Sequence, residues 1–493
     1  MAKELGEQEI DLLVRESWKA FNEYRKLSLK QRARFMKTIA EQIEGRGEEL
    51  VRIAMEETNL PDARIRGEKN RTIYQLKSYA EACERGEWLE ARLDLADPAR
   101  AIPKPDTRKM LIPLGPVVVF GASNFPFAYS TAGGDTATAF AAGCPVIVKA
   151  HPGHPRTSDA VAAAIFRAIE ICQLPGALFT HVHGEGFEIG RLLVTHPLVK
   201  AVGFTGSFAG GKALFDLANQ RKEPIPVFAE MGSVNPVFLL PEKLKQSPPD
   251  IAKLYAPSIT LSVGQFCTNP GLVIGIDGPE LDEFVGKLGD EIRKISPGKM
   301  LHPGIAKSFV EKRKQALSQE TVETIAVSET AAKENEGIPT IASASAQAFM
   351  NNPILHQEVF GPYSLVIRCK NMSEMQDVAR RLEGQLTSTL MATDNDVRDH
   401  DELLGLVMNI CGRLILNGVP TGVEVALSMQ HGGPFPATTD SRFSSVGADG
   451  IKRFARPICF QNWPDNLLPD ELKNANPLGI WRTVNNELTK AAI

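Results

Sequence analysis

Cys267 stands in Gly264-Gln265-Phe266-Cys267-Thr268-Asn269-Pro270-Gly271, just ahead of an apolar run, which puts it on a tight loop between elements. A thiolate is the most nucleophilic side chain near neutral pH, and small polar neighbours leave it open to an electrophile. The bland alternative is a small buried hydrophobe, the common state of free cysteine. Glu230 closes the apolar segment of Val227-Phe228-Ala229-Glu230-Met231-Gly232-Ser233. Such surroundings predict a raised carboxyl pKa, as a general base working near pH 7 needs, whereas an ordinary glutamate is exposed or ion-paired. Asn124, in Gly121-Ala122-Ser123-Asn124-Phe125-Pro126, offers an amide to a developing oxyanion, or simply forms a turn beside Gly and Pro.

Further candidates suit a nucleotide. Lys149 ends the run Val146-Ile147-Val148-Lys149, and Gly203-Phe204-Thr205-Gly206-Ser207 ends another apolar run ahead of a helix, where free N–H groups can meet a phosphate. A solvated strand end and an ordinary strand-to-helix turn are the alternatives. Gly184-Glu185-Gly186 imitates part of a dinucleotide fingerprint, but its third glycine is out of step.

Elements of a particular kind must hold these residues. Apolar runs at 117–120, 146–148, 178–182, 201–204 and 237–240 alternate with helical segments at spacings that suit parallel strands covered on both faces. A second series, at 272–276, 364–368, 387–392 and 414–416, predicts a second α/β unit. The amino-terminal residues read as helix, with Ser28 and Gln31 as a capping box and Ala33, Met36, Ile39, Ala40 and Ile43 at helical spacing before Gly45. Residues 88–114 suit a projecting hairpin, 454–460 an outlying strand that pairs with it across subunits, and the tail from Asn462 an extension with one short amphipathic helix.

Composition narrows the function classes. The 493 residues are 43% hydrophobic and 23% charged, with 55 Lys plus Arg against 59 Asp plus Glu. That is an ordinary globular composition, and its charge of -4 attracts neither nucleic acid nor a membrane surface. The seven cysteines form no disulfide framework and no zinc spacing, so no metal is expected; six of them, Cys83, Cys144, Cys172, Cys369, Cys411 and Cys459, lie in helix or strand patterns. With no leader-like start and no long apolar run, a cytoplasmic location is expected.

Six segments, in order, make the chain resemble the aldehyde dehydrogenase superfamily over roughly residues 28–463. Asn124-Phe125-Pro126 is similar to that family's oxyanion-asparagine motif, Val146–Lys149 to the strand ending in its cofactor lysine, and Gly203–Ser207 to its phosphate turn. Glu230-Met231-Gly232 resembles its general-base motif and Gly264-Gln265-Phe266-Cys267 its nucleophile motif. Glu358-Val359-Phe360-Gly361-Pro362 resembles the segment that binds the nicotinamide ribose. Departures are Ser233 in place of a second glycine, Thr268-Asn269-Pro270 after the nucleophile, and Gly432-Gly433-Pro434-Phe435-Pro436-Ala437-Thr438-Thr439-Asp440 where a Pro-Phe-Gly-Gly segment is usual. They resemble the branch that holds 2,5-dioxopentanoate dehydrogenases and NADP-dependent fatty-aldehyde dehydrogenases.

The resemblance implies an α/β fold: a doubly wound Rossmann-like cofactor domain (1–88 and 115–231), a second α/β catalytic domain (232–431), oligomerisation β segments (89–114 and 432–464) and a carboxy-terminal extension (465–493). It implies a homodimer or homotetramer that oxidises an aldehyde to an acid through a thioester on Cys267, with Glu230 as base, Asn124 at the oxyanion, and Lys149, Gly206, Ser207, Glu358 and Phe360 at the cofactor. NADP is expected ahead of NAD, because Pro152 stands where NAD-specific relatives carry a glutamate against the ribose. The substrate expected is 2,5-dioxopentanoate, with aliphatic aldehydes as the runner-up; Phe127, Phe266 and Arg442 are the pocket candidates. A cysteine hydrolase would share the thiol, but none of the nine histidines can be paired with it from sequence, and a non-catalytic relative would not need Cys267, Glu230 and Asn124 together.

Overall fold

The computed structural model describes residues 5–184 and 186–493, so the Gly184-Glu185-Gly186 fragment lies partly outside the described residues. The apolar runs form a five-stranded parallel sheet in the order Phe179–Val182, Val146–Lys149, Val117–Phe120, Ala201–Thr205, Val227–Glu230. Its central strands are buried on both faces, which explains why they alternate so little. Strand order reverses between Val117–Phe120 and Ala201–Thr205, and the carboxyl ends on either side of such a reversal open a crevice for a ligand. Asn124 and the Gly206-Ser207 turn follow those two ends.

A second sheet of seven strands runs in the order Val322–Val327, Thr340–Ser345, Tyr363–Cys369, Leu272–Ile276, Val237–Leu239, Gln385–Met391, Cys411–Leu416, parallel apart from its first member. The run at 237–240, counted above with the first series, belongs here between two strands of the second sheet. The first sheet instead ends in Val227–Glu230, so the chain leaves one sheet at Glu230 and enters the other within seven residues. Glu230 therefore sits at the seam of the two units.

The amino-terminal helices pack as their pattern predicts. Helix Leu29–Gly45 is capped by Ser28 and Gln31, and its apolar positions are buried. Tyr24, Phe35 and Phe140 meet edge to face beneath the first sheet.

The projecting segments correct two expectations. Strand Thr107–Pro113 pairs antiparallel with Ala455–Gln461 of the same chain, so this pairing is made within the subunit, not across subunits. The tail has no amphipathic helix. Pro464, Pro469 and Pro477 interrupt it, and it forms two short turns and then the hairpin Arg482–Val484/Glu487–Thr489, which extends the arm to five strands. Asn485 and Asn486, at φ 46° and 72°, make the two-residue turn that such a hairpin requires. Among the described residues no helix is long and apolar enough to cross a membrane.

Candidate active site

The loop carrying Cys267 is shaped by backbone before side chains matter. Ser262, Val263 and Gly264 all have positive φ (47°, 59° and 64°), costly for a β-branched valine and tolerated where surrounding structure holds the turn. A Cβ on Gly264 would lie 2.3 Å from the Gly361 carbonyl carbon, so only glycine lets this loop press against the Glu358–Pro362 segment. Buried Asn235 then pins the loop from the other side, its amide donating to the Cys267 and Asn269 carbonyls at 2.9 Å each.

The residues that depart from the family pattern are the ones that tie these segments together. The Ser233 hydroxyl donates to Gln385 at 2.9 Å and accepts from the Leu386 N–H at 3.0 Å, linking the Glu230 loop to strand Gln385–Met391. Asn269 donates to the Gly361 carbonyl at 3.2 Å, and Thr268 accepts from the Gly422 N–H at 3.3 Å. The altered carboxy-terminal segment lies along strand Val227–Glu230, with Met231 N–H on the Ala437 carbonyl and Thr439 N–H on that of Ala229.

That segment delivers a residue the sequence reading did not assign. His431 Nε2 lies 3.6 Å from Cys267 Sγ and 3.2 Å from Glu230 Oε1. The other Glu230 oxygen accepts from Ser445 at 2.8 Å. Three side chains from positions 230, 267 and 431 thus meet, Glu230 and His431 buried and Cys267 half-buried at the edge of a cavity, each able to hold or pass a proton. His431 directly precedes the departing stretch that begins at Gly432, and this adjacency was the one available signal for it.

Charge in this cluster corrects the expectation for Glu230. Burial pushes its carboxyl up, but the neighbouring His431 imidazole and the Ser445 hydroxyl outweigh burial and hold it below the ordinary range. Cys267 moves the other way: burial, then the facing Glu230 charge, hold the thiol well above its usual value. It therefore rests protonated, and attack requires the proton to leave for a neighbour. His431 Nε2 is placed to receive it.

A cavity of about 440 Å³ opens on one side of Cys267. It is lined by Asn124, His151, Gly206, Ser207, Glu230, Glu358 and Phe360 among others. Asn124 currently donates to the Gln265 carbonyl at 3.2 Å, leaving the second N–H of its amide for a ligand oxygen. Ser207 caps helix Phe208–Asn219, whose amino end faces the cavity as an anion site would. Lys149 ends its strand beside Phe120 and Val182, and His151, two residues on, is held down to about 3 by burial and the neighbouring His154, His302 and Lys149. Glu358 is held up at about 7 by burial, against the pull of Lys312 and the Ser233 N–H. A Cβ on Gly232 would come within 2.7 Å of the Glu358 carboxylate, so this glycine makes room for it.

The pocket candidates fare unequally. Phe266 packs edge to face on Phe125 beside the nucleophile. Phe127 is wholly enclosed in the amino-terminal core and forms no wall of the site. The Arg442 side chain is 80% exposed and pairs with Asp440 two residues away, a local contact that closes its own turn. Among the described residues two groups come within metal-chelating distance, Glu230–Cys267–His431 and Asp159–His181–His183; tertiary convergence or a strand-to-helix contact brings them together, which cysteine spacing does not reveal.

Two α/β sheets meeting at a nucleotide-sized cleft make the fold that of a dinucleotide-binding oxidoreductase. The chain belongs to the aldehyde dehydrogenase family, whose sequence profile matches residues 2–433. It is 48% identical over 464 residues to alpha-ketoglutaric semialdehyde dehydrogenase 2 of Azospirillum brasilense, covering 94% of this chain and 88% of that protein. It is 45% identical over 484 residues to the alpha-ketoglutaric semialdehyde dehydrogenase of Acinetobacter baylyi, covering 98% and 92%. Among solved structures, glyceraldehyde-3-phosphate dehydrogenase GapN of Methanocaldococcus jannaschii, complexed with NADP, superposes with a TM-score of 0.78 at 19% identity, covering 93% of this chain and 95% of that one. 1-Pyrroline-5-carboxylate dehydrogenase from Thermus, with bound NAD, gives 0.77 at 20% identity, covering 93% and 86%.

Two outcomes test this geometry. His431→Gln removes the imidazole beside the thiol, so alkylation of Cys267 by iodoacetamide at pH 7 should slow by about tenfold or more and recover toward alkaline pH. An unchanged rate would show that His431 does not take the proton. The expected role of Glu358, accepting a hydrogen bond from a cofactor hydroxyl, is best filled by a carboxylate, and its value near 7 means that protons compete below that pH. NAD affinity, measured by fluorescence quenching, should therefore rise about tenfold from pH 6 to pH 8 and become flat in Glu358→Gln.

Proposed function

We propose that this chain oxidises 2,5-dioxopentanoate to 2-oxoglutarate with NAD(P). The reading is carried by the similarity, at 45% and 48% identity over nearly the whole chain, to two proteins that bear that activity in their names. The convergence of Cys267, Glu230, Asn124 and His431 supports the chemistry.

The cofactor fits what the cleft offers: a cavity of about 440 Å³, a capped helix end at Ser207, and the half-buried Glu358 and Phe360 in its wall. Lys149, Gly206 and Ser207 would hold its adenosine and phosphate portion, and Glu358 and Phe360 its nicotinamide ribose. Bound NAD(P) supplies the hydride acceptor, which no side chain provides. Cys267 passes its proton to His431, and its sulfur bonds to the aldehyde carbon. The oxygen's developing charge meets the Asn124 amide and the Cys267 N–H. After oxidation the acyl group remains on sulfur as a thioester. Glu230, kept ionised beside His431, takes a proton from the water that attacks it, and acid and thiol are released.

NADP is proposed as the preferred cofactor. Pro152 brings no carboxylate against a 2′-phosphate, and Lys149 supplies a cation at the strand end. The neutral state of His151 means that its share is hydrogen bonding rather than charge. A homodimer or homotetramer is proposed from open sheet edges: Glu487–Thr489 closes the arm and Cys411–Leu416 the second sheet, and Leu488, Leu414 and Leu416 on them are exposed.

Stopped-flow kinetics with purified enzyme test the chemistry. Cys267→Ser should lose turnover while still binding cofactor, and Glu230→Gln should keep a burst of NAD(P)H followed by slow turnover; loss of the burst would move Glu230 to an earlier step. The ratio of kcat/KM for NADP and NAD should favour NADP, and a clear preference for NAD overturns that assignment.

A further inference from the structure

The side of Cys267 away from the nucleotide cavity holds positive charge that meets no carboxylate among the described residues. Helix Asp62–Arg85 presents Arg64, Glu68 and Arg71 at i, i+4 and i+7, one stripe facing the Asn124 loop. Glu68, fully buried, bonds Arg64 at 2.7 Å and accepts the Phe127 and Ala128 N–H groups at 2.8 and 3.0 Å. The Arg64 charge is thereby met, and its guanidinium lies over the Phe125 and Phe266 rings at 4.4 and 5.2 Å. Arg71, one turn on, has no carboxylate among the described residues. It donates to the Tyr129 hydroxyl at 3.2 Å and lies 5.5 Å over that ring, while its Nε is buried without a partner.

Tyr129 belongs to the wall of the site, since its ring packs on Phe125 and lies 6.4 Å from that of His431. Arg413 adds a second unpaired cation on the same side. Both its terminal nitrogens are spent on the Gly422 and Pro420 carbonyls, its Nε is buried and unbonded, and Gly422 in turn bonds Thr268, next to the nucleophile. Neither arginine lines the nucleotide cavity. A half-buried guanidinium without a counter-charge is costly, and a site pays that cost when a ligand brings the anion.

We propose that Arg71, with the Tyr129 hydroxyl beside it, is the subsite that binds the carboxylate of the aldehyde substrate, within the positive field of Arg413. The assignment rests on the carboxylated-substrate reading above and takes over the role that Arg442, ion-paired at the surface, cannot fill. Arg71 keeps Nη1 and the second hydrogen of Nη2 for a planar carboxylate, and Tyr129 accepts from Arg71 while its own proton remains to donate. Burial keeps that phenol protonated. An aldehyde held at its far end by Arg71 presents its carbonyl carbon to Cys267 from the side opposite the cofactor cavity.

Steady-state kinetics at saturating cofactor compare 2,5-dioxopentanoate with hexanal in wild type, Arg71→Met and Arg71→Lys. In Arg71→Met, kcat/KM for 2,5-dioxopentanoate should fall by about 30-fold or more, mainly through KM, while hexanal stays within about twofold. Arg71→Lys, which keeps the charge and loses the fork, should regain part of the loss. Unchanged cofactor affinity and melting temperature certify the fold of each variant. An equal loss for both aldehydes, or a carboxylate preference that survives in Arg71→Met, overturns the Arg71 assignment alone. A wild-type enzyme that favours hexanal overturns the substrate reading before any variant is needed.

Discussion

A thiol that must ionise has been placed where burial and a facing carboxylate both oppose ionisation. In the proposed thioester mechanism Cys267 and Glu230 act on the same carbon in turn, yet two negative charges in that space repel. The imidazole of His431, within 3.6 Å of the sulfur and 3.2 Å of the carboxylate oxygen, relieves the conflict. Protonated, it offsets both charges; neutral, it accepts the thiol proton. In the mechanism proposed above, a proton on His431 lets Cys267 attack while Glu230 stays ionised for the later water. The pair of acid–base groups is kept apart in time by one shared proton rather than apart in space.

The three residues come from segments separated by 37 and then 164 positions, and each arrives through a different element: the carboxyl end of a strand in one sheet, the loop ahead of a strand in the other, and an irregular segment running between them. Their registry depends on a few buried hydrogen bonds. Asn235 fixes the nucleophile loop through its carbonyls, Ser233 and Gln385 fix the chain where it passes between sheets, and Met231 and Thr439 fix the segment behind His431. Buried amide and hydroxyl groups satisfied in this way specify one arrangement, since leaving any unpaired costs about 1–3 kcal/mol.

What could be read in advance follows from the range of the interactions. Strands 117–120 and 272–276 stand at the residues their apolar runs mark, because burial on both faces is written locally. Ser28 caps its helix for the same reason. The strand 237–239 was misplaced because an apolar run states that it is covered, not by which sheet. The tail misled through its apolar spacing, although its prolines and the Asn485-Asn486 pair carried the contrary signal. Glu230 and Cys267 announced themselves by local context. His431 did not, since nothing near it in the chain states that a thiol lies opposite, and the lowered Glu230 carboxyl is a consequence of that same unseen neighbour.

The family motifs and the departures from them divide the work along this line. Motif residues supply the proposed reacting groups, and the departing residues Ser233, Thr268, Asn269 and the stretch from Gly432 form the scaffold around them. A segment that replaced the usual Pro-Phe-Gly-Gly without compensation would leave the edge of strand Val227–Glu230 unpaired and Glu230 loose. Here Thr438 bridges to Glu230 across that edge and Thr439 bonds Ala229, so the substitution of one wall preserves the strand end. The same wall now carries an imidazole into the site. Within that wall the two tasks fall to different bonds: Ala437, Thr438 and Thr439 restore the strand edge, while His431 is held by its N–H on the Ser444 hydroxyl and its carbonyl under that of Ser445, so the one segment is anchored at both ends of the change.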